Sequence, residues 1–150
     1  MCLPVKPYKV EREWKHAGLS CAVVQAREGG HRCGYTRVPP SHPLHGKDYT
    51  DVDVHVHGGL TFAKMEPCTE HKDGQGYWFG FDCAHSGDAS YDPDNLPEYQ
   101  KQFRAKYPEF NHLDRDEHFW TEDEVVEETN RLAELLAAAP QIQTEGDHTE

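Results

Sequence analysis

Between Asp51 and His57 the chain alternates strictly, with Val52, Val54 and Val56 set between Asp51, Asp53, His55 and His57. Side chains alternate faces along a strand, so this run predicts a strand with one valine face and one ionisable face. Leu19 to Arg27 is apolar enough for a buried strand, and His31 to Val38 reads as its partner. Glu28-Gly29-Gly30 supplies the turn of that hairpin. Leu60 to Lys64 and the aromatic run Tyr77 to Phe81, with Asp82 at its end, predict two more strands. Lys9 to His16 suits one or two helical turns, closed by Gly18. Pro39 to Tyr49, Pro67 to Gly76 and Ser86 to Pro97 carry the turn formers of loops.

Two helices follow. Over Glu98 to Tyr107, Tyr99, Phe103 and Tyr107 recur four apart, on one helix face. Thr121-Glu122-Asp123-Glu124 is a capping box, and Val125, Val126, Leu132, Leu135 and Leu136 follow at helical spacing. Those five side chains are expected to cover the apolar face of the sheet. Pro140 is expected to stop the helix and Gln141 to Glu150 to form a flexible polar tail. The expectation is an α+β fold: a mainly antiparallel sheet of about four or five strands against a long C-terminal helix, in one domain over residues 1–140.

Composition narrows the chemistry. The chain has 150 residues, a hydrophobic fraction of 36% and a net charge of −12. No basic stripe is present to read phosphates, which argues against direct nucleic-acid binding. No apolar run approaches the roughly 18 residues of a membrane helix, and the first residues lack a signal-peptide pattern. Five cysteines, an odd number without a Cys-x-x-Cys pair, predict reduced thiols and a cytoplasmic chain.

Eleven histidines direct attention to metal and proton chemistry. Asp53, His55 and His57 lead into Gly58-Gly59, where the backbone is able to take positive φ or approach a ligand. The histidine pair alone also reads as the solvated face of a sheet. In Gly80 to Asp88, the residues Asp82, His85 and Asp88 recur every third position where a strand gives way to a turn. Carboxylate and imidazole together suit Zn²⁺ or Mn²⁺, and the same segment reads equally as an Asp/Ser turn. Cys68-x-x-His71, with Cys33 as partner, is a weaker metal pattern, and Cys83 near His85 a weaker nucleophile pattern. Tyr77, Trp78, Phe79 and Phe81 fit a core better than a base-stacking platform.

The blocks Gly34-Tyr35, His42-Pro43-Leu44, His57-Gly58-Gly59-Leu60-Thr61-Phe62 and Trp78 to Asp88 resemble a family of small proteins frequent in bacteriophages and some bacteria. The segment from Trp120-Thr121 to Leu132-Ala133 is similar too, so the resemblance spans most of residues 31–136. His55 and residues 89–118 depart from it. The resemblance implies no activity. It implies that the His57 block and the Gly80–Asp88 block form one constellation, in a host-cell cytoplasm if the chain is phage-encoded.

Three functions follow as expectations. The first is a small metal-dependent hydrolase acting on a nucleotide or other phosphorylated small molecule. His57, Asp82, His85 and Asp88 would hold a divalent ion, with Asp53 or Glu128 as general base. The second is a non-catalytic protein that sequesters a nucleotide. Gly58, Gly59 and Thr61 would lie against the ligand, and Tyr35 or Trp78 would stack on it. The third is an acidic inhibitor of a host protein, steered by its negative charge.

Overall fold

A computed structural model describes residues 3–4, 9–26, 29–69, 71–84, 88–89, 91, 96–108 and 118–147, with 139–147 as backbone only. Five strands form one antiparallel sheet: β1 (Lys9–His16), β2 (Leu19–Gln25), β3 (Arg32–Val38), β4 (Phe62–Met65) and β5 (Tyr77–Asp82). Their spatial order is β1-β2-β3-β5-β4. Helix α1 spans Glu98–Lys106, and α2 spans Glu122–Asp147 and packs on β1, β2 and β3. The expected α+β architecture is therefore present.

Two elements differ from the sequence reading. Lys9–His16 is a strand, not helical turns. Its inward residues are Glu11, Trp14 and His16, a pattern without strict alternation. The cause is a register shift between Val10 and Arg12, a bulge that turns Glu11 toward the same side as Trp14. Ala17 and Gly18, both at positive φ (53° and 80°), close the hairpin to β2, as a tight primed turn requires. Conversely, Val52 to His57 belongs to no strand and follows a single 3-10 turn at Tyr49–Asp51. The alternation survives as burial only. Val56 is buried, Val52 and Val54 pack against the core, and Asp53 and His55 face solvent. The fifth strand is β1 instead.

The sheet buries both faces. On the α2 side, Cys21, Val23, Phe79 and Phe81 meet Val125, Leu132, Ala133 and Leu136, with Val126 and Leu135 packed at the margin. Gly34 permits the close approach of the helix. A Cβ there would lie 2.2 Å from Thr129 Oγ1 and 2.6 Å from the Phe81 ring. On the opposite face, Ala22, Val24, Cys33, Tyr35 and Trp78 form a second cluster with Leu3 and Phe62.

The helix start follows the predicted capping box: Glu124 N–H donates to Thr121 Oγ1 (3.2 Å), and Thr121 N–H to Glu124 Oε1 (2.9 Å). Pro140 does not stop α2, which continues to Asp147. Proline removes the N–H that would bond the carbonyl four residues back, that of Leu136. His42 supplies the missing donor, with Nε2 2.8 Å from Leu136 O. His42 Nδ1 accepts the Leu44 N–H at 3.0 Å, which fixes the tautomer.

Candidate functional site

The segment Val56 to Gly59 is a turn closed by Gly59 N–H on Val56 O at 2.8 Å. Gly58 occupies its third position at φ 67° and Gly59 follows at 80°, conformations that an L side chain resists. The turn presents His57 to three distant parts of the chain. Its backbone N–H donates to Glu128 Oε2 on α2 (2.6 Å), and its Nε2 lies 2.7 Å from Asp88 Oδ2. The His57 ring also packs on Trp120, with centroids 4.3 Å apart. Trp120 Nε1 donates to the second Asp88 oxygen at 3.1 Å. Asp88 thus has a partner on each oxygen, and its side chain is only 4% exposed while that of His57 is 24% exposed. The pairing fixes the imidazole in space.

A short parallel bridge holds this knot. Asp88 pairs with His118, and Ala89 N–H donates to His118 O at 2.8 Å. His118 Nε2 sits 2.8 Å from both Glu124 oxygens, tying the bridge to the first turn of α2. Burial alone would raise the Glu124 carboxyl, but the Thr121 N–H and His118 outweigh it and hold it below its ordinary value. Arg32 completes the support: Nη1 donates to Trp120 O (2.9 Å), Nε and Nη2 grip Glu11, and the guanidinium lies over Phe119.

Of the four expected metal ligands, three lie among the described residues. His57 and Asp88 meet, but Asp82 sits on the sheet face of Trp78, opposite Phe81 and α2. Its oxygens accept Thr61 Oγ1–H (3.3 Å) and Ala84 N–H (3.2 Å). His85 lies outside the described residues. Among the described residues, His57, Asp82, Asp88 and Glu128 do not offer three ligand atoms within 4.8 Å of one another. Asp53 has a side chain that is 94% exposed and lies 3.4 Å from His55 Nε2. Glu128 does reach the site, as an anchor of the His57 backbone. Tyr35 and Trp78 are buried in the second cluster and present no stacking face to a ligand. Thr61 is tied to β5 by its N–H on Gly80 O and by its hydroxyl on Asp82.

Cys83 is buried, and its thiol is pushed far up, first by burial and then by Asp88, Cys33, Asp82 and Glu128. Burial of this kind disfavours the thiolate, which argues against the nucleophile reading. Sequence reasoning did not single out Trp120 or His118 for the site. Their only signal was position, just ahead of a capping box.

A second polar knot lies at the other end of β5. Arg37 grips Glu66 (Nε to Oε1 3.0 Å, Nη2 to Oε2 3.2 Å) and Asp73 (3.0 and 2.9 Å), and donates to Gly74 O. Glu66 also accepts Trp78 Nε1–H and Gly76 N–H. Burial would raise Glu66, but these donors prevail and hold it low. Glu66, Cys68 and His71 offer three ligand-type atoms within 4.8 Å of one another, a group with the make-up of a metal site. Cys33 is not part of it. Cys68 is disulfide-bonded, whereas Cys21, Cys33 and Cys83 are free. The expectation of reduced cysteines therefore fails at Cys68. Among the described residues no helix is long and apolar enough to cross a membrane. No protein-family model, curated protein or solved structure matches the chain.

Proposed function

We propose that the chain is a small hydrolase of phosphorylated small molecules, a nucleotide among them, with His57 as its working imidazole. The supporting observation is the His57 clamp. Asp88 holds Nε2, Trp120 packs on the ring and Glu128 holds the backbone, while the side chain keeps partial exposure. A carboxylate behind an imidazole is the arrangement that orients both metal-ligating histidines and general bases. The His57 side chain is 24% exposed, so the ring is the part of the clamp that a ligand would reach. Asp88, occupied on both oxygens, is a positioning group in this reading, not an ion ligand. A divalent ion would supply positive charge for an anionic substrate on an acidic protein. His57 is the described residue best placed to hold it.

The second reading is a protein that binds such a molecule without turning it over. It draws support from Glu128 and Asp82, which are engaged in backbone and hydroxyl contacts instead of facing His57 as a base. One experiment separates the two. The purified chain is assayed against phosphomonoesters, phosphodiesters and nucleoside triphosphates with Mg²⁺, Mn²⁺ or Zn²⁺. Melting temperatures are recorded on the same panel. Turnover that falls by about 100-fold or more in His57→Asn, with the fold intact by circular dichroism, is the expected result. A nucleotide that raises the melting temperature without turnover selects the binding reading. Neither turnover nor a thermal shift would rule out both.

A further inference from the structure

The polar knot at the start of β5 holds chemistry that the His57 site does not use. Glu66, Cys68 and His71 converge around one point, with His71 Nε2 3.6 Å from Glu66 Oε2. Ligand atoms around a tetrahedral zinc sit roughly 3.3–3.8 Å apart, given bonds of about 2.0–2.3 Å. The Glu66–His71 pair is already at that spacing, and all three atoms lie within 4.8 Å of one another. One carboxylate, one thiolate and one imidazole make a zinc-type donor set with an open fourth position.

Cys68 is the gate. As a disulfide it has no thiolate to give. In a reducing compartment, the one expected for this chain, the disulfides that do form are usually transient and redox-sensing. We propose that reduction of the Cys68 disulfide opens a zinc site on Glu66, Cys68 and His71. A dithiol reductant supplies two electrons and two protons. The S–S bond breaks, two thiols form and the reductant closes to its own disulfide. Zn²⁺ then displaces the proton from the Cys68 thiol, which leaves to solvent.

The surroundings suit this exchange. With zinc bound, the three negative charges of Glu66, Asp73 and the Cys68 thiolate are balanced by Arg37 and the ion together. On Glu66 Oε2 the Arg37 Nη2 contact, 3.2 Å, is longer than the Gly76 N–H contact, 2.6 Å. Arg37 is able to yield it, because Asp73 and Gly74 still hold its guanidinium. Trp78 and Gly76 would continue to orient the carboxylate from behind, as outer contacts do in metal sites. The His71 side chain is 37% exposed, which gives an ion a way in.

The test is Zn²⁺ competition against a chromophoric chelator. Oxidised and dithiol-reduced protein are compared, with the dithiol removed anaerobically. Co²⁺ substitution reports thiolate ligation by its charge-transfer absorption. Expected are one equivalent of zinc on the reduced protein and a thiolate–cobalt band. Binding should be weaker by about 100-fold or more in the oxidised protein and in reduced Cys68→Ser and His71→Ala. Circular dichroism accompanies each sample. Equal binding by oxidised protein overturns the proposal, as does wild-type affinity in Cys68→Ser. So does a reduced chain that takes no zinc, whether folded or unfolded. None of these outcomes depends on the His57 reading.

Discussion

The two polar knots, one at each end of β5, use similar ingredients to different ends. At Arg37–Glu66 the charges are fixed and each Glu66 oxygen has two donors. The Glu66 side chain is fully buried. At His57–Asp88 the partner is an imidazole that is 24% exposed, set against a buried carboxylate. Saturation makes the first knot, while its disulfide is closed, a structural bolt, whereas the second leaves its imidazole partly exposed to solvent.

Breaking each knot should separate stability from function. Arg37→Ala leaves Glu66 buried without its counter-ion, and such losses cost about 3–5 kcal/mol. Urea unfolding should show the largest drop of any variant here; a loss below about 1 kcal/mol would deny the bolt its role. Gly34→Ala, between the knots, drives a Cβ into Thr129 and Phe81. Overpacking of this kind costs about 1–3 kcal/mol, measurable as a lower urea midpoint with unchanged activity per folded molecule.

Asp88→Asn should cost about 1–3 kcal/mol and reduce turnover or ligand affinity far more than the lost folded fraction explains. Function that tracks folded fraction alone would make the second knot structural too.

The smallest effect concerns His42. Burial, ahead of its other contacts, lowers its pKa below the ordinary 6.5. As pH falls, the unfolded chain takes the proton first. The stabilisation is therefore complete above the unfolded pKa and is lost as pH falls through the folded one. His42→Gln should flatten the stability difference between pH 7.5 and pH 5 relative to wild type. Urea midpoints at the two pH values check this, with about 1 kcal/mol at stake.

Much of the fold was legible where local signals agreed. The Leu19–Gln25 and Arg32–Val38 hairpin, the capping box and the α2 stripe each rest on contacts within a few residues or one face. Asp51–His57 misled because period-two burial does not require a strand. The sheet's hydrogen-bonding positions went to β1, so this run packs its valines on the core without a ladder. β1 was hidden by its bulge, which spoils the alternation. Pro140 misled because the donor that replaces its N–H comes from His42, nearly a hundred residues away in sequence. The candidate site was half legible. His57 and Asp88 were named and do meet, but strand alternation turns Asp82 away, and Trp120 joins through a tertiary contact that no spacing announces.

The bulge in β1 has a consequence beyond its own strand. β1 is the longest strand and stands at an open edge of the sheet, where unpaired backbone groups invite a neighbouring molecule to add a strand. The extra residue interrupts that template. It also brings Glu11 to Arg32 and Arg12 to Glu122, while Glu13 and Lys15 remain exposed along the edge. A passing strand would meet a kinked, charged rail that resists in-register pairing. Repairing the bulge by deleting Glu11 should therefore favour edge-to-edge assembly at high concentration, visible as concentration-dependent light scattering absent from the wild type.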